Sequence, residues 1–109
     1  MVINQSGTIF VGWKEASTAE GPGRRVGFSS SEDIGATWAP NILMPQSHVN
    51  QGCANSDPWM ALSPDDRVYY AYLEYECGLS GIDFPSMRNG TDWGPVYYLA
   101  GKGGLSDKE

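Results

Sequence analysis

The chain is short of basic residues, of long apolar runs and of a leader-like start. It carries 7 Lys and Arg against 13 Asp and Glu in 109 residues, a net charge of -6. Because such a surface repels a phosphate backbone, nucleic acid is not an expected partner. No apolar run approaches the ~20 residues that a membrane helix needs, so no membrane insertion is expected. The stretch from Met1 to Gln5 lacks the basic region and apolar run of a signal peptide, so none is expected.

Long stretches of good helix formers are also missing. Fourteen Gly and seven Pro interrupt the chain, and its short apolar runs are rich in β-branched and aromatic residues. This composition excludes a helical bundle or a coiled coil. The 12% aromatic content argues against a disordered chain. The sequence therefore favours a small all-β fold.

Short strand-like segments follow one another along the chain, separated by polar and turn-rich stretches. The strongest is Arg67–Tyr75, in which apolar or aromatic residues occupy both faces, as in a strand covered on two sides. Residues 15–23 and 45–57 are predicted to be connections. The other predicted strands are Gly7–Trp13, Arg24–Ser30, Asn41–Met44, Trp59–Leu62, Ile82–Phe84 and Val96–Leu99.

An internal repeat is the most informative feature of the sequence. The segments Ser31–Trp38 (SEDIGATW) and Ser86–Trp93 (SMRNGTDW) share Ser, Gly and Trp at a constant offset of 55 residues. The strands before them, Gly7–Trp13 (GTIFVGW) and Asp66–Tyr72 (DRVYYAY), align at an offset of 59 residues. Strand-rich repeats near this length are typical of four-stranded propeller blades.

The first copy fits the pattern S-x-D-x-G-x-T-W and resembles the Asp-box, or bacterial neuraminidase repeat. The resemblance implies a β-propeller of the sialidase-like superfamily, with each box forming the turn between the third and fourth strands of a blade. Short polar side chains and a positive-φ glycine suit such a turn, and the Trp can cover the base of the hairpin. In the second copy Arg88 replaces the Asp and Asp92 replaces the Thr, so that turn is expected to be held differently. The box residues, assigned a structural role, are Ser31, Asp33, Gly35, Thr37, Trp38, Ser86, Gly90 and Trp93.

The resemblance divides the chain into two blades of four antiparallel strands. The expected boundaries are 1–45 for the first blade, 46–56 for the connection, 57–101 for the second blade and 102–109 for a frayed tail. Two blades are too few to close a propeller, which typically has 4–8. We therefore expect a fragment of a longer propeller or a subunit that completes its ring by self-association.

Asp57 is the best functional candidate because Asn55–Pro58 precedes a strand predicted to be innermost in its blade. A carboxylate there could act as a general acid, a metal ligand or an acceptor for a sugar hydroxyl; the alternative is an ordinary turn fixed by Pro58. Tyr72 and Glu74 are weaker candidates, since sialidases use a Tyr nucleophile. Tyr and Glu alternating at a strand end are more often found in a half-exposed strand.

The histidine and the arginines do not suggest a catalytic or carboxylate-binding site. The sole histidine, His48, lies in a polar loop and is predicted to be solvated. The three-arginine cluster that holds a sialic acid carboxylate in the family cannot be assembled, since the only arginines are Arg24, Arg25, Arg67 and Arg88 and the family's Arg-Ile-Pro motif is absent. No metal and no cofactor are expected.

The two cysteines, Cys53 and Cys77, are predicted to form one disulfide across a hairpin, which indicates an oxidising compartment. Two separate buried thiols are the alternative, and the absence of Cys-x-x-Cys spacing argues against zinc. Three functions remain open: a fragment of a secreted, glycan-related propeller without catalysis of its own, a sialidase-like glycoside hydrolase, and a non-catalytic protein-binding scaffold.

Overall fold

The computed structural model describes residues 1–16, 24–48, 52–75, 77–78, 80–87 and 93–100. In this part of the chain the fold is all-β, as predicted, and contains no helix. Two antiparallel sheets follow one another in sequence, and each brings one face against the other. We call these packed faces the inner faces and the opposite ones the outer faces.

The first sheet has the spatial order β1-β2-β3-β4, the same as its order in the chain. Its main element is the β2–β3 hairpin, in which Ile9 pairs with Ser31 and Ala16 with Arg24. The sequence predicted the cores of β2, β3 and β4 but not the two-residue strand β1. The strands are β1 (Val2–Ile3), β2 (Ile9–Ala16), β3 (Arg24–Ser31) and β4 (Ile42–Leu43).

The second sheet has the order β5-β6-β7-β9, and the short strand β8 pairs with β6 beyond the end of β7. Pro85 separates β7 from β8, and its carbonyl accepts a hydrogen bond from the Tyr70 amide at 3.1 Å. Strands β7 and β8 together thus occupy the third position of the sheet. The strands are β5 (Ala54–Leu62), β6 (Val68–Tyr75), β7 (Gly81–Phe84), β8 (Ser86–Met87) and β9 (Tyr97–Ala100).

Strand β5 begins at Ala54 rather than at Trp59, so Asn55 and Ser56 belong to the strand and not to the connection predicted from the sequence. Their polar side chains suggested a loop, because polarity is the main signal for loops in a sequence. In the structure Asn55 is fully buried, and its Nδ2 donates to the Leu73 carbonyl on β6 at 3.0 Å. A tertiary hydrogen bond therefore outweighs the local preference.

The inner faces form an apolar core around Tyr70, which is fully buried. Its hydroxyl crosses to the first sheet and donates to the Gly27 carbonyl at 2.8 Å. Gly12 leaves the space for this ring, since a Cβ there would lie 2.2 Å from the Tyr70 oxygen. The buried core residues are Phe10, Val26, Phe28, Met44, Val68, Tyr70, Tyr72 and Met87.

Cys53 and Cys77 form a disulfide just beyond the open end of the β5–β6 hairpin. Their Cα atoms are 4.7 Å apart. Ala54 pairs with Tyr75 at this end of the hairpin, so the bond closes it immediately outside the last strand pair. The location is the one expected from the sequence.

Candidate functional site

The Ser31–Trp38 segment forms the turn between β3 and β4, the third and fourth strands of the first sheet. The Ser31 hydroxyl accepts from the Gly35 amide at 2.9 Å and donates to Asp33 Oδ1 at 2.8 Å. Asp33 in turn accepts from the Thr37 amide at 2.8 Å and from the Thr37 hydroxyl at 2.5 Å. Four residues of the repeat pattern thus share one hydrogen-bond network.

The hydrogen bonds of this network stabilise the charged form of Asp33. Hydrogen bonds from the Thr37 hydroxyl, the Thr37 amide and the Ser31 hydroxyl lower the pKa of the Asp33 carboxyl to about 2. Gly35 has a φ of 86°, in the region that favours glycine. Trp38 lies beside Val11 and Trp13 on the outer face of the first sheet, half-exposed. Asp33 and Thr37 also line an open cavity on the surface of this turn, together with Glu32 and Trp38.

The second copy of the repeat occupies the corresponding connection, between β8 and β9. Ser86 lies in β8 and accepts a backbone hydrogen bond from Gly94 at 2.8 Å. Trp93 packs edge-on against Phe28 of the first sheet, with ring centroids 5.0 Å apart, whereas Trp38 stays half-exposed. Residues 88–92, which include Arg88, Gly90 and Asp92, lie outside the described residues.

Asp57 lies within β5 at a bulge, where the register with β6 shifts between Ser56 and Trp59. Its φ is 52°, a conformation that Asp adopts more readily than most residues. The bulge turns its carboxylate outward at the edge of the second sheet, where it is exposed and accepts a hydrogen bond from the Ser56 hydroxyl at 3.0 Å. In this position it is suited to accept a hydrogen bond from a sugar hydroxyl.

Tyr72 and Glu74 both lie on the inner face of β6 and are fully buried. The Tyr72 hydroxyl donates to the Pro45 carbonyl, not to Glu74. Burial, followed by the nearby charges of Asp83 and Glu74, raises the pKa of Tyr72 well above its ordinary value. A tyrosine nucleophile needs access and a lowered proton affinity, and this environment offers neither. The geometry therefore argues against the catalytic role considered for this pair.

Glu74 and Asp83 bring two carboxyl groups together inside the protein. Both side chains are fully buried, on the neighbouring strands β6 and β7. Burial raises the pKa of Asp83 to about 7; the Ser47 hydroxyl, which donates at 2.5 Å, opposes this, while the Glu74 charge adds to it. The second carboxyl oxygen of Asp83, Oδ2, is buried without a hydrogen-bond partner among the described residues. Neither Asp83 nor Ser47 was singled out in the sequence.

The prediction that His48 is solvated is wrong, since only 26% of its side chain is exposed. Its Nδ1 lies 2.6 Å from Glu74 Oε2, and its ring meets the edge of Tyr98 with centroids 4.5 Å apart. The backbone amide of His48 also donates to Glu74 Oε1 at 3.3 Å. Loop composition gave no sign of this, because the carboxylate that attracts His48 is 26 positions away in the chain. The contact arises because the β4–β5 connection packs against Glu74 of β6.

Asn55 connects the same region to the first sheet. Its Oδ1 accepts from Arg25 Nε at 3.2 Å and from Gln46 Nε2 at 3.0 Å. Arg25 also donates from Nη2 to the Met44 carbonyl at 2.7 Å. These bonds tie β3, the β4–β5 connection and β5 together, so this network stabilises the contact between the sheets.

The arginines do not form a carboxylate-binding cluster in the described structure. Arg25 belongs to the Asn55 network, whereas Arg24 lies over the ring of Tyr75, 5.1 Å from its centroid. Arg67, at the opposite end of β6, donates to the Ser86 hydroxyl at 3.1 Å. Each of these arginines therefore has its own contact.

The described part of the chain contains no cluster of three or more His, Cys, Asp or Glu side chains that could hold a metal ion. The same residues include no helix with the length and apolarity to span a bilayer. Comparisons of the chain with protein-family models, curated proteins and solved structures found no match.

Proposed function

We propose that the chain forms two neighbouring blades of an Asp-box β-propeller of the sialidase-like superfamily. The Ser31–Trp38 turn carries the proposal. It joins the third and fourth strands of a four-stranded antiparallel sheet and is held by the Ser, Asp, Gly and Thr of the repeat pattern. The second repeat begins at Ser86, in the third strand position of the second sheet. Two sheets packed through one face each are consistent with adjacent blades.

The blade pair serves as a glycan-related binding module and not as an enzyme on its own. An active site at the centre of a propeller draws groups from several blades, and the buried Tyr72 and Glu74 are unsuited to supply one here. Asp57, exposed at its bulge, is the residue we assign to contact with a sugar hydroxyl. The disulfide supports a secreted or periplasmic location.

Self-association is part of the proposal, because the described residues leave large apolar side chains exposed on the outer face of each sheet. The outer face of the second sheet includes Trp59 and Tyr69, whose exposed fractions are 60% and 43%. Exposed apolar faces of this kind mark interfaces in folded proteins. Other blades, from the same or another chain, are the occupants that the repeat favours.

Two assays test the proposed function. With a fluorogenic sialoside we expect no turnover, and turnover that disappears in Tyr72→Phe would refute the non-catalytic assignment. On a glycan array we expect binding that Asp57→Ala removes and Glu32→Ala, at an exposed position of the box turn, retains. Equal glycan binding by both variants would remove Asp57 from the site, and no binding by the wild-type chain would refute the glycan assignment.

A further inference from the structure

We infer that the outer face of the second sheet binds the outer face of the first sheet of another copy, so that copies associate head to tail. The inference rests on the proposed blade pair and names the partner that continues it. The first outer face is defined by Val11, Trp13 and Trp38. The second outer face is defined by Trp59, Tyr69, Ala71, Ile82, Phe84 and Leu99.

The second outer face has the apolar chemistry of an interface and a substantial part of the area that one needs. Its residues line an open groove of about 270 Å³. Trp59, Tyr69 and the adjacent Tyr97 are 60%, 43% and 59% exposed. At about 150–250 Å² per aromatic side chain, these three alone expose roughly 300 Å². One partner of a standard interface buries about 800 Å², so three side chains supply more than a third of the required area.

The repeat makes the two outer faces complementary. In the alignment at an offset of 59 residues, Tyr69 corresponds to Phe10 and Ala71 to Gly12. Phe10 and Gly12 lie on the inner face of the first sheet and contact the second sheet. The second outer face is therefore the repeat equivalent of a surface that already binds a sheet in this chain.

The converse holds for the first outer face. Val11 and Trp13 correspond to Tyr70 and Tyr72, which lie on the inner face of the second sheet. A head-to-tail contact thus repeats the inter-sheet contact of the chain with equivalent residues on both sides. A contact that joins the second outer face of one copy to the second outer face of another would not repeat the inter-sheet contact of the chain.

One pair of positions illustrates the fit. Within the chain, Tyr70 packs into the space left by Gly12. In the head-to-tail contact, the smaller Val11 meets Ala71, the residue equivalent to Gly12. Glu15 lies beside the first outer face and accepts a hydrogen bond from the Trp13 indole at 3.2 Å, whereas the side chains that line the two grooves are uncharged. A contact of this heterologous type closes into a ring or continues as an open chain of copies.

Mixing two variants tests the inference. Val11→Arg places a charge on the first outer face and Ala71→Arg on the second. By sedimentation velocity, we expect concentration-dependent association of the wild-type chain and a loss of at least about tenfold in self-affinity for each variant. An equimolar mixture should form a heterodimer, because each variant retains the face that its partner needs. Heterodimer formation also shows that both variants are folded.

The control is Gln5→Arg, which adds the same charge at an exposed turn between β1 and β2 and should associate like the wild type. Tyr69→Arg provides a second variant of the second outer face. A wild-type chain that stays monomeric at every concentration would overturn the inference. So would self-association retained by Val11→Arg, or a mixture that stays monomeric while Gln5→Arg associates. These outcomes do not depend on glycan binding or turnover, so the glycan assignment can fail separately from the contact between copies.

Discussion

The two ends of the layer between the sheets are stabilised in different ways. At the aromatic end, the ring centroid of Phe28 lies 6.1 Å from that of Phe10 and 6.3 Å from that of Tyr70. At the polar end, Glu74 and Asp83 are equally buried but are held by hydrogen bonds. Strand β6 contributes to both ends, with Tyr70 at the aromatic end and Glu74 at the polar end, so the contrast along this strand comes from side-chain chemistry.

The contrast shows how much each end depends on distant parts of the chain. Apolar burial is non-directional and tolerates small shifts of the sheets. Buried carboxyl groups instead need particular partners, and Ser47 and His48 from the β4–β5 connection provide them. The polar end therefore fixes the path of that connection, whereas the aromatic end provides most of the apolar driving force.

The largest effect is expected at the aromatic end. Phe28→Ala removes a buried ring that contacts Phe10, Tyr70 and Trp93, and should lower the free energy of unfolding by about 3–5 kcal/mol. Denaturant unfolding followed by fluorescence measures the change. Leu43→Ala, at a half-exposed position of β4, is the control and should cost much less. A loss from Phe28→Ala no greater than that of the control would mean that this end contributes no special stability.

The disulfide tests the polar end, since Cys53 is adjacent to the strand that carries Asn55. The cysteines are 24 positions apart, and closing such a loop contributes about 3 kcal/mol by the chain-entropy relation. Cys53→Ser/Cys77→Ser should lower the unfolding midpoint accordingly, and reduction of the wild type should have the same effect. A reductant that leaves the wild-type midpoint unchanged, while the thiols become titratable, would contradict this expectation.

The sequence predicted the aromatic end far better than the polar end. The alternation in β3 correctly put Val26 and Phe28 on one face, because a strand has a period of two. The single Cys pair left few alternatives for a disulfide. Ser31 and Asp33 form local hydrogen bonds, so their arrangement can be deduced from spacing within one turn.

The polar end could not be predicted in this way because its partners are far apart in the chain. Ser47 and Asp83 are separated by 36 positions, and Arg25 and Asn55 by 30. Glu74 is contacted by His48 of the β4–β5 connection, whereas a strand rich in Tyr and Glu is, by its sequence alone, more typical of a half-exposed position. Sequence patterns report local periodicity, whereas these contacts depend on tertiary packing.

The smallest of the three effects concerns the pH dependence of the polar end. The pKa of Asp83 is raised from 3.8 to about 7, first of all by burial. Between these values the unfolded chain releases the proton while the folded chain retains it. Since the folded state then binds more protons, the free energy of unfolding falls as the pH rises through this window. The decrease is at most about 1.4 kcal/mol per pH unit, so we expect a loss of about 2 kcal/mol between about pH 5 and about pH 7.

Asp83→Asn should remove this decrease, because its amide oxygen can still accept from the Ser47 hydroxyl and the amide does not ionise. The variant should match the wild type near pH 5 and be more stable than the wild type near pH 8. Denaturant titrations across this range measure the crossover, with Glu32→Gln, at an exposed position, as the control that should follow the wild-type curve. The groups that face Asp83 are Ser47, Glu74, Tyr72 and Tyr98, and His48 binds Glu74 beside them. If Asp83→Asn keeps the wild-type slope, the decrease belongs to another member of this group and the neutral carboxyl is not what stabilises the polar end.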